Sequence, residues 1–251
     1  MQIRVLQESE LELLFHYSSL EKWDMQELET KALFSVHQND FFVAFLKEEL
    51  LGFIVAIKYN EKLGFISSFL VLQKFRSLGY GKILFSHALK HLDGYQIALD
   101  SIIGQESFYR QFSFEEYFDV SIYAFEIGSM KLDFLSLDIY KTKDNILTKN
   151  ARESQKHLFL QDEVLCKSIL KDNEESSYAY MFPYLNAYKI EINSTDINET
   201  LALYIALTKN LQDGTTVYIK VDVLSPVLLS ITKVLNMKLH YKYTRMYNKI
   251  L

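Results

Sequence analysis

The chain has 251 residues, and what it lacks narrows what it can be. Cys166 is its only cysteine, so no disulfide can form within the chain and a reducing, cytoplasmic setting is expected. The opening MQIRVLQESELELL has no basic head leading into an apolar segment, so no secretory signal is expected. Apolar runs such as Phe41 to Leu46 fall far short of a membrane span. Positive charge is not in excess either. The 27 Lys and Arg against 32 Asp and Glu leave a formal charge of −5, and the pI is near 5.7. A nucleic-acid binder would carry a basic footprint instead. Neither a nucleic acid nor a membrane is therefore an expected partner, whereas a cationic amine is compatible with the balance. The oligomeric state is open, a homodimer being admissible.

Apolar material is plentiful. Hydrophobic residues make up 49% of the chain and aromatic ones 14%, enough for packed cores. The length favours two domains. Of the eight glycines only Gly214 lies beyond Gly128, and both prolines, Pro183 and Pro226, lie in that second part. The change in composition separates residues 1–128 from 129–251.

The stretch from Gly64 to Leu92 organises the first part. Phe65 to Leu72 is an apolar run too short for a usual helix, so it reads as a buried strand. Ile83, Leu84, Ala88, Leu89 and Leu92 keep helical spacing up to the stop at Asp93-Gly94. Between them lies Arg76-Ser77-Leu78-Gly79-Tyr80-Gly81-Lys82. A strand that passes through a glycine-bearing loop into a helix start is an anion site, because the first N–H groups of the helix lack internal partners and the dipole favours negative charge. Gly79 and Gly81 let a bulky anion approach the backbone, and Arg76 and Lys82 add positive charge. The spacing fits neither G-x-x-x-x-G-K-[ST] nor G-x-G-x-x-G. An ordinary strand-to-helix turn with a surface arginine is the plainer alternative.

Around this stretch the pattern predicts a strand at Ile3-Arg4-Val5 and a helix capped by Ser9 and Glu12 that turns Leu11, Leu14, Phe15 and Ser18 inward. A second helix is capped by Asp24 and Glu27. Strands follow at Phe41 to Leu46 and Leu50 to Tyr59, around a turn at Lys47-Glu48-Glu49. Gln96 to Asp100 reads as a strand, Gln105 to Phe112 as a short helix and Glu116 to Phe125 as a long strand. His16 and His37, in the same region as Trp23, read as packing or surface residues.

Arg76, Gly79 and Gly81, placed after a strand ending at Val71, resemble the Arg/Gln-x-x-Gly-x-Gly/Ala loop of the GNAT superfamily of acyl-CoA-dependent N-acetyltransferases. The order of elements and the phrase Phe108-Tyr109-Arg110-Gln111-Phe112-Ser113-Phe114 resemble that family as well. The resemblance implies an α/β fold with a mixed, mostly antiparallel sheet flanked by helices. It implies acetyl-CoA as cosubstrate without a metal, with its pyrophosphate held by Arg76, Ser77, Leu78, Gly79, Tyr80, Gly81 and Lys82. The pantetheine would pair with Phe69, Leu70 and Val71 where a bulge splays two strands, and Ser107 would lie beside the coenzyme. Tyr109 would protonate the departing thiolate, and a backbone N–H near Leu70 or Val71 would hold the oxyanion. The early helices would meet a small-molecule or peptide amine. Two positions depart from the family pattern: Ser113 replaces a glycine, and Ile102 replaces an asparagine. No residue stands out as the base. The central strand offers Ser67 and Ser68, and Asp100 and Glu106 read as a cap or solvated carboxylates.

The second part reads as a polar linker from Lys141 to Lys156 overlapping a helix from Arg152 to Leu170 with Leu158, Leu165 and Ile169 inward, then a loop from Asp172 to Ser177. Strands at Tyr178 to Phe182 and Ala187 to Ile192 lead to a helix capped by Thr195 or Asp196. A strand at Val217 to Val223, a helix at Pro226 to Leu235 and a strand at Leu239 to Tyr247 follow. The order repeats the first part, and aligning Phe114 with Met237 puts Ser107 on Ser230 and Tyr109 on Thr232. Asn193 to Glu199, where the anion loop would fall, has no glycine and two carboxylates. A second GNAT-like lobe without a pyrophosphate site is the expectation, with Tyr178, Tyr180 and Tyr184 as core or pocket lining. A non-catalytic acyl-CoA sensor or interaction scaffold is the alternative function, and a plain nucleotide-phosphate binder is a third.

Overall fold

Strand β1 (Gln2–Val5) is separated from its antiparallel partner β2 (Phe41–Leu46) by helices α1 (Leu11–Leu20) and α2 (Glu27–Val36). The structure is a computed structural model that describes residues 1–23, 25–128, 142–144, 153–159, 161, 163–171, 174–184 and 186–248. Helix α1 buries Leu11, Leu14, Phe15 and Ser18, the face its spacing predicts. Its entry is not the expected Ser9–Glu12 box. A short turn at Glu8–Glu10 comes first. There the Gln7 N–H donates to Glu10 Oε2 at 2.9 Å, and Arg4 donates to both Glu10 oxygens at 2.7 Å. Asp24 lies outside the described residues, and α2 starts after Gln26 without a side-chain cap bond.

Strand β3 (Glu49–Lys58) follows β2 through a tight turn with Lys47 and Glu48 both at positive φ, the geometry that matches strand twist. Strand β4 (Leu63–Val71), helix α3 (Tyr80–His91), strand β5 (Gln96–Ile102) and helix α4 (Glu106–Arg110) come next, before the long strand β6 (Phe114–Glu126). Leu14, Phe41, Phe53, Ile54, Leu84 and Phe85 lie in the core of this part, each almost fully buried.

Beyond β6 come β7 (Thr142–Asp144), α5 (Glu153–Phe159), β8 (Leu165–Lys171), β9 (Glu174–Tyr184), β10 (Ala187–Asn193), α6 (Ile197–Thr208), β11 (Thr216–Asp222), α7 (Pro226–Val234) and β12 (Lys238–Asn248). Two expectations fail here. The helix from Arg152 stops at Phe159, and residues 165–171 form a strand between β7 and β9. Leu158 and Ile169 are buried as expected, but Val164, Cys166 and Ser168 are buried as well while Leu165 is 48% exposed, a two-residue alternation up to Ser168. The loop expected up to Ser177 is mostly strand, because β9 begins at Glu174. Most of the expected linker lies outside the described residues, and its Thr142–Asp144 portion is β7.

Contacts divide the chain into two units, Met1–Phe118 with Tyr243–Leu251, and Asp119–Lys242. The composition changes after Gly128, past the end of β6, whereas the units part within β6 and the chain crosses between them again within β12. In the first unit the strand order is β1-β2-β3-β4-β5-β12, and in the second it is β6-β11-β10-β9-β8-β7. Only β4 with β5 and β10 with β11 pair in parallel among the described ladders. The other ladders are antiparallel. The second core gathers Met181, Ile190, Leu203, Tyr204, Ile219 and Ile231. Among the described residues no helix is long and apolar enough to cross a membrane.

One polar cluster ties elements of the first unit together. Asp40, 8% exposed, takes a bond from His37 Nδ1 at 3.0 Å and one from His91 Nε2 at 2.7 Å, linking the entry of β2 to the end of α3. Burial alone would raise this carboxyl, but the two imidazole hydrogen bonds outweigh it and hold its pKa below the usual value. A depressed carboxyl pKa stabilises the fold above the unfolded value, about 4, and that contribution is lost as pH falls through the lower folded value. Asp40→Asn should cost about 2 kcal/mol near neutral pH. Thermal denaturation across the acid range should show a shallower loss of melting temperature in the variant than in the wild type.

Candidate active site

Strands β4 and β5 run in parallel only from Leu63↔Gln96 to Ile66↔Leu99, although β4 continues to Val71 and β5 to Ile102. The two strands form a fork. On its other edge β4 stays on β3, with one residue to spare. Phe53 faces Leu70 and Val55 faces Ser67, so Ser68 and Phe69 both oppose Ile54. Ser68 takes φ 49° at this bulge. Such an extra residue reverses the alternation of side chains beyond it. Phe69 and Val71 consequently lie beside the start of α3, where a Cβ on Gly81 would meet Phe69 Cζ at 3.5 Å and Val71 Cγ2 at 3.6 Å. The Leu72 N–H donates to the Leu51 carbonyl at 2.9 Å. By strand alternation the backbone of Leu70 also faces β3, and that of Phe69 and Val71 faces the fork.

The loop after β4 leads into a helix start with no side-chain cap. Gly79, its N-cap residue, sits at φ 85° with open space where a Cβ would be. Ser77 is also at positive φ, and Ser77, Leu78 and Lys82 are exposed. Arg76 is not turned to this opening. Its Nε donates to the Val71 carbonyl at 2.7 Å and its Nη2 to Glu21 Oε1 at 2.6 Å, so its charge is balanced by a carboxylate beyond the end of α1. An open depression of about 550 Å3 lies beside Tyr80, lined by Leu46, Lys47, Glu48 and Glu49. It flanks the helix start, and Tyr109 is not part of its lining.

Helix α4 brings Tyr109 into an aromatic cluster. The Phe69 ring lies 5.4 Å from Phe108 in a stacked arrangement, and Phe85 lies 5.4 Å from Tyr109 and 4.7 Å from Phe112. Tyr109 is thus one ring removed from the fork. Burial pushes its phenol up to about 12, so it keeps its proton across the physiological range. Ser107, on the same short helix, is exposed. The aromatic phrase from Phe108 to Phe114 signals this cluster in the sequence, whereas nothing local marks Phe85 as its hub.

The carboxylates considered as bases are both engaged. Asp100 is bound by Arg245 through Nε and through Nη2 at 3.1 Å, neither capping a helix nor solvated. Glu106 accepts the Gly104 N–H at 2.9 Å and the Thr244 hydroxyl at 3.4 Å. Glu21 and Arg245 had no local sequence signal, since each meets its partner from far along the chain.

The second unit has a similar fork, and the helix that follows its first arm is capped from within the chain. Strands β10 and β11 pair in parallel only from Tyr188↔Val217 to Ile190↔Ile219, and the β9–β10 ladder shows no register shift. At the start of α6 the Asp196 carboxylate takes the N–H groups of Asn198 and Glu199 at 2.8 and 3.0 Å, occupying with its own charge the place an anion would take. The Ser230 and Thr232 hydroxyls, opposite Ser107 and Tyr109 in the repeat, donate to carbonyls within α7. Tyr178, Tyr180 and Tyr184 are buried.

Residues 4–114 match the model of the Acetyltransferase (GNAT) family. Holothin acyltransferase of Pseudoalteromonas sp. (strain SANK 73390) is 24% identical over 112 residues, which make up 45% of this chain and 38% of that protein. The matched segment thus spans well under half of that curated relative. A Pyrococcus horikoshii structure assigned as a candidate acetyltransferase superposes with a TM-score of 0.78 at 13% identity, covering 100% of this chain and 89% of the other. A tandem GNAT protein from the clavulanic acid biosynthesis pathway gives 0.67 at 9% identity, covering 98% and 97%. At these identities the two structures show a shared fold.

The two glycines of the loop should respond differently to alanine. At Gly79 the positive φ makes any side chain strained, and Gly79→Ala should cost about 1 kcal/mol. At Gly81, inside α3, a methyl group meets only ordinary contacts, and Gly81→Ala should be neutral or stabilise by up to about 1 kcal/mol. Denaturant unfolding of the two variants measures the contrast.

Proposed function

We propose that the protein, whose residues 4–114 match the model of the Acetyltransferase (GNAT) family, transfers an acetyl group from acetyl-CoA to an amine, with Tyr109 as general acid. The observation that carries this reading is the coincidence, in one strand–loop–helix segment, of a bulged fork and an uncapped helix start. The fork presents backbone of Phe69 that a pantetheine amide can pair with. The helix start presents N–H groups and a side-chain-free Gly79 to a pyrophosphate, with Lys82 beside it. An acyl thioester supplies the group to be transferred and a thiolate that must be protonated.

Tyr109 holds a proton at its hydroxyl for that thiolate, and its burial keeps the proton in place at neutral pH. The Val71 N–H is the donor suited to an oxyanion, since its carbonyl is already bonded to Arg76 and its backbone faces the fork. Arg76 acts through the loop's shape, linking Glu21 to the end of β4. No carboxylate is assigned as base: with Asp100 and Glu106 engaged, the amine gives up its proton through water. The same engagement favours the second reading, a protein that binds acyl-CoA without turnover.

Calorimetric titration with acetyl-CoA tests the site. The wild type should bind and a folded Gly79→Glu, Gly81→Glu double variant should not. No binding by the folded wild type would overturn the transferase reading. Tyr109→Phe should keep the affinity for acetyl-CoA while lowering kcat by about 10²–10⁴-fold in an amine screen. Binding with no acetylation of any amine, and no slow hydrolysis that depends on Tyr109, would point to the sensor.

A further inference from the structure

We propose that Arg245, six residues from the end of the sequence, is a positioning residue that sets the root of the fork; this rests on reading the fork as the thioester site. In the β5–β12 ladder Arg245 stands directly opposite Asp100. Asp100 is the residue after Leu99, the last position at which β5 pairs with β4. The guanidinium grips the Asp100 carboxylate with two donors. It also lies 5.1 Å from the ring of Phe65, on β4 just before the fork opens, and 5.7 Å from the ring of Phe118. One side chain thus binds one arm of the fork and covers the other where they part.

Its neighbours on β12 extend the grip. The Thr244 hydroxyl donates to Glu106 at the start of α4, three residues before Tyr109. The side-chain oxygen of Asn248 accepts the Ile97 N–H at 2.6 Å, lower on β5. The strand therefore holds β5 below and at the fork, and it touches the helix that carries the general acid.

Simple stabilisation is not what this pair is suited to. The two side chains are only 18% and 13% exposed. A pair so far from water gives up most of its Coulomb gain to desolvation, and apolar residues of similar volume serve stability as well or better. A planar guanidinium on a carboxylate adds direction, because both groups must lie in one plane. That direction fixes where β5 leaves β4, and so the width of the channel between Phe69 or Val71 and the end of β5.

The test compares Arg245→Met, Arg245→Lys and the apolar double variant Asp100→Leu, Arg245→Met, each in the full chain. Hydrogen exchange of the unliganded protein is read at residues 66–71 and 100–112, with α6 as an internal reference, beside the acetyl-CoA Kd and the melting temperature. Arg245→Met should accelerate exchange at the fork and weaken binding by about ten- to a hundredfold. Arg245→Lys should recover part of both. The double variant should recover the melting temperature without recovering the affinity. Wild-type exchange and affinity in a folded double variant would overturn the assignment, and so would acceleration spread evenly over the first unit in step with the melting temperature. If the wild type fails to bind acetyl-CoA, the proposed function falls, and the exchange pattern alone decides the role of Arg245.

Discussion

Two parallel strands that stop pairing after four residue pairs are the constraint on which the first unit depends. Backbone groups that leave a ladder must find other partners or face solvent, since burying them unpaired costs about as much as a lost hydrogen bond. The chain meets this with a bulge rather than by ending the strand. The extra residue at Ser68–Phe69 keeps Leu70 on β3 while Phe69 and Val71 turn their peptide groups into the gap. Arg76 then takes the Val71 carbonyl, and the loop it anchors delivers Gly79 to the head of α3. Fork, loop and helix start are consequences of a single change of register.

How much of this can be read from the amino acids depends on the range of the interaction. The strand, the glycine loop and the helix were legible in Phe65 to Leu92 because apolar period, helix stop and glycine placement are local properties. The inward face of α1 was legible for the same reason. Residues 152–170 misled because Leu158, Leu165 and Ile169 satisfy helical spacing. The strand there is imposed by β9 alongside it, and no local propensity records a partner's ladder. The bulge itself has no signature, since nothing about serine at 68 demands a positive φ, and only the family resemblance anticipated it. Asp100 illustrates the limit. Its partner Arg245 is 145 residues away, so a carboxylate that reads as solvated is one half of a buried pair.

The second unit shows which parts of the arrangement are fold and which are site. It keeps the parallel pair that stops short, the helix that follows and the strand that closes. It lacks the register shift, and Asp196 satisfies the helix start from within the chain. A carboxylate on the first N–H groups stabilises a helix by capping and by the dipole together, typically by about 1 kcal/mol. Gly79 forgoes that gain. An uncapped start with a left-handed N-cap is the weaker way to begin a helix, which makes sense where the stabilising anion comes from outside.

The closing strands carry this comparison one step further. Each unit needs an antiparallel neighbour for its forked strand, β12 for β5 and β6 for β11. In sequence β6 follows the first repeat and β12 follows the second, yet residues 120–126 of β6 close the second unit's sheet and residues 243–247 of β12 close the first. The first unit therefore cannot complete its sheet until the chain has run through the second. Closing so long a loop costs entropy that grows only slowly with length, so the arrangement is inexpensive in stability and slow in formation. It also means that residues 243–248 of β12 belong to the first unit. A second unit without an anion-ready helix still has a place in such a protein, because the strand that steadies the fork is reached only through it.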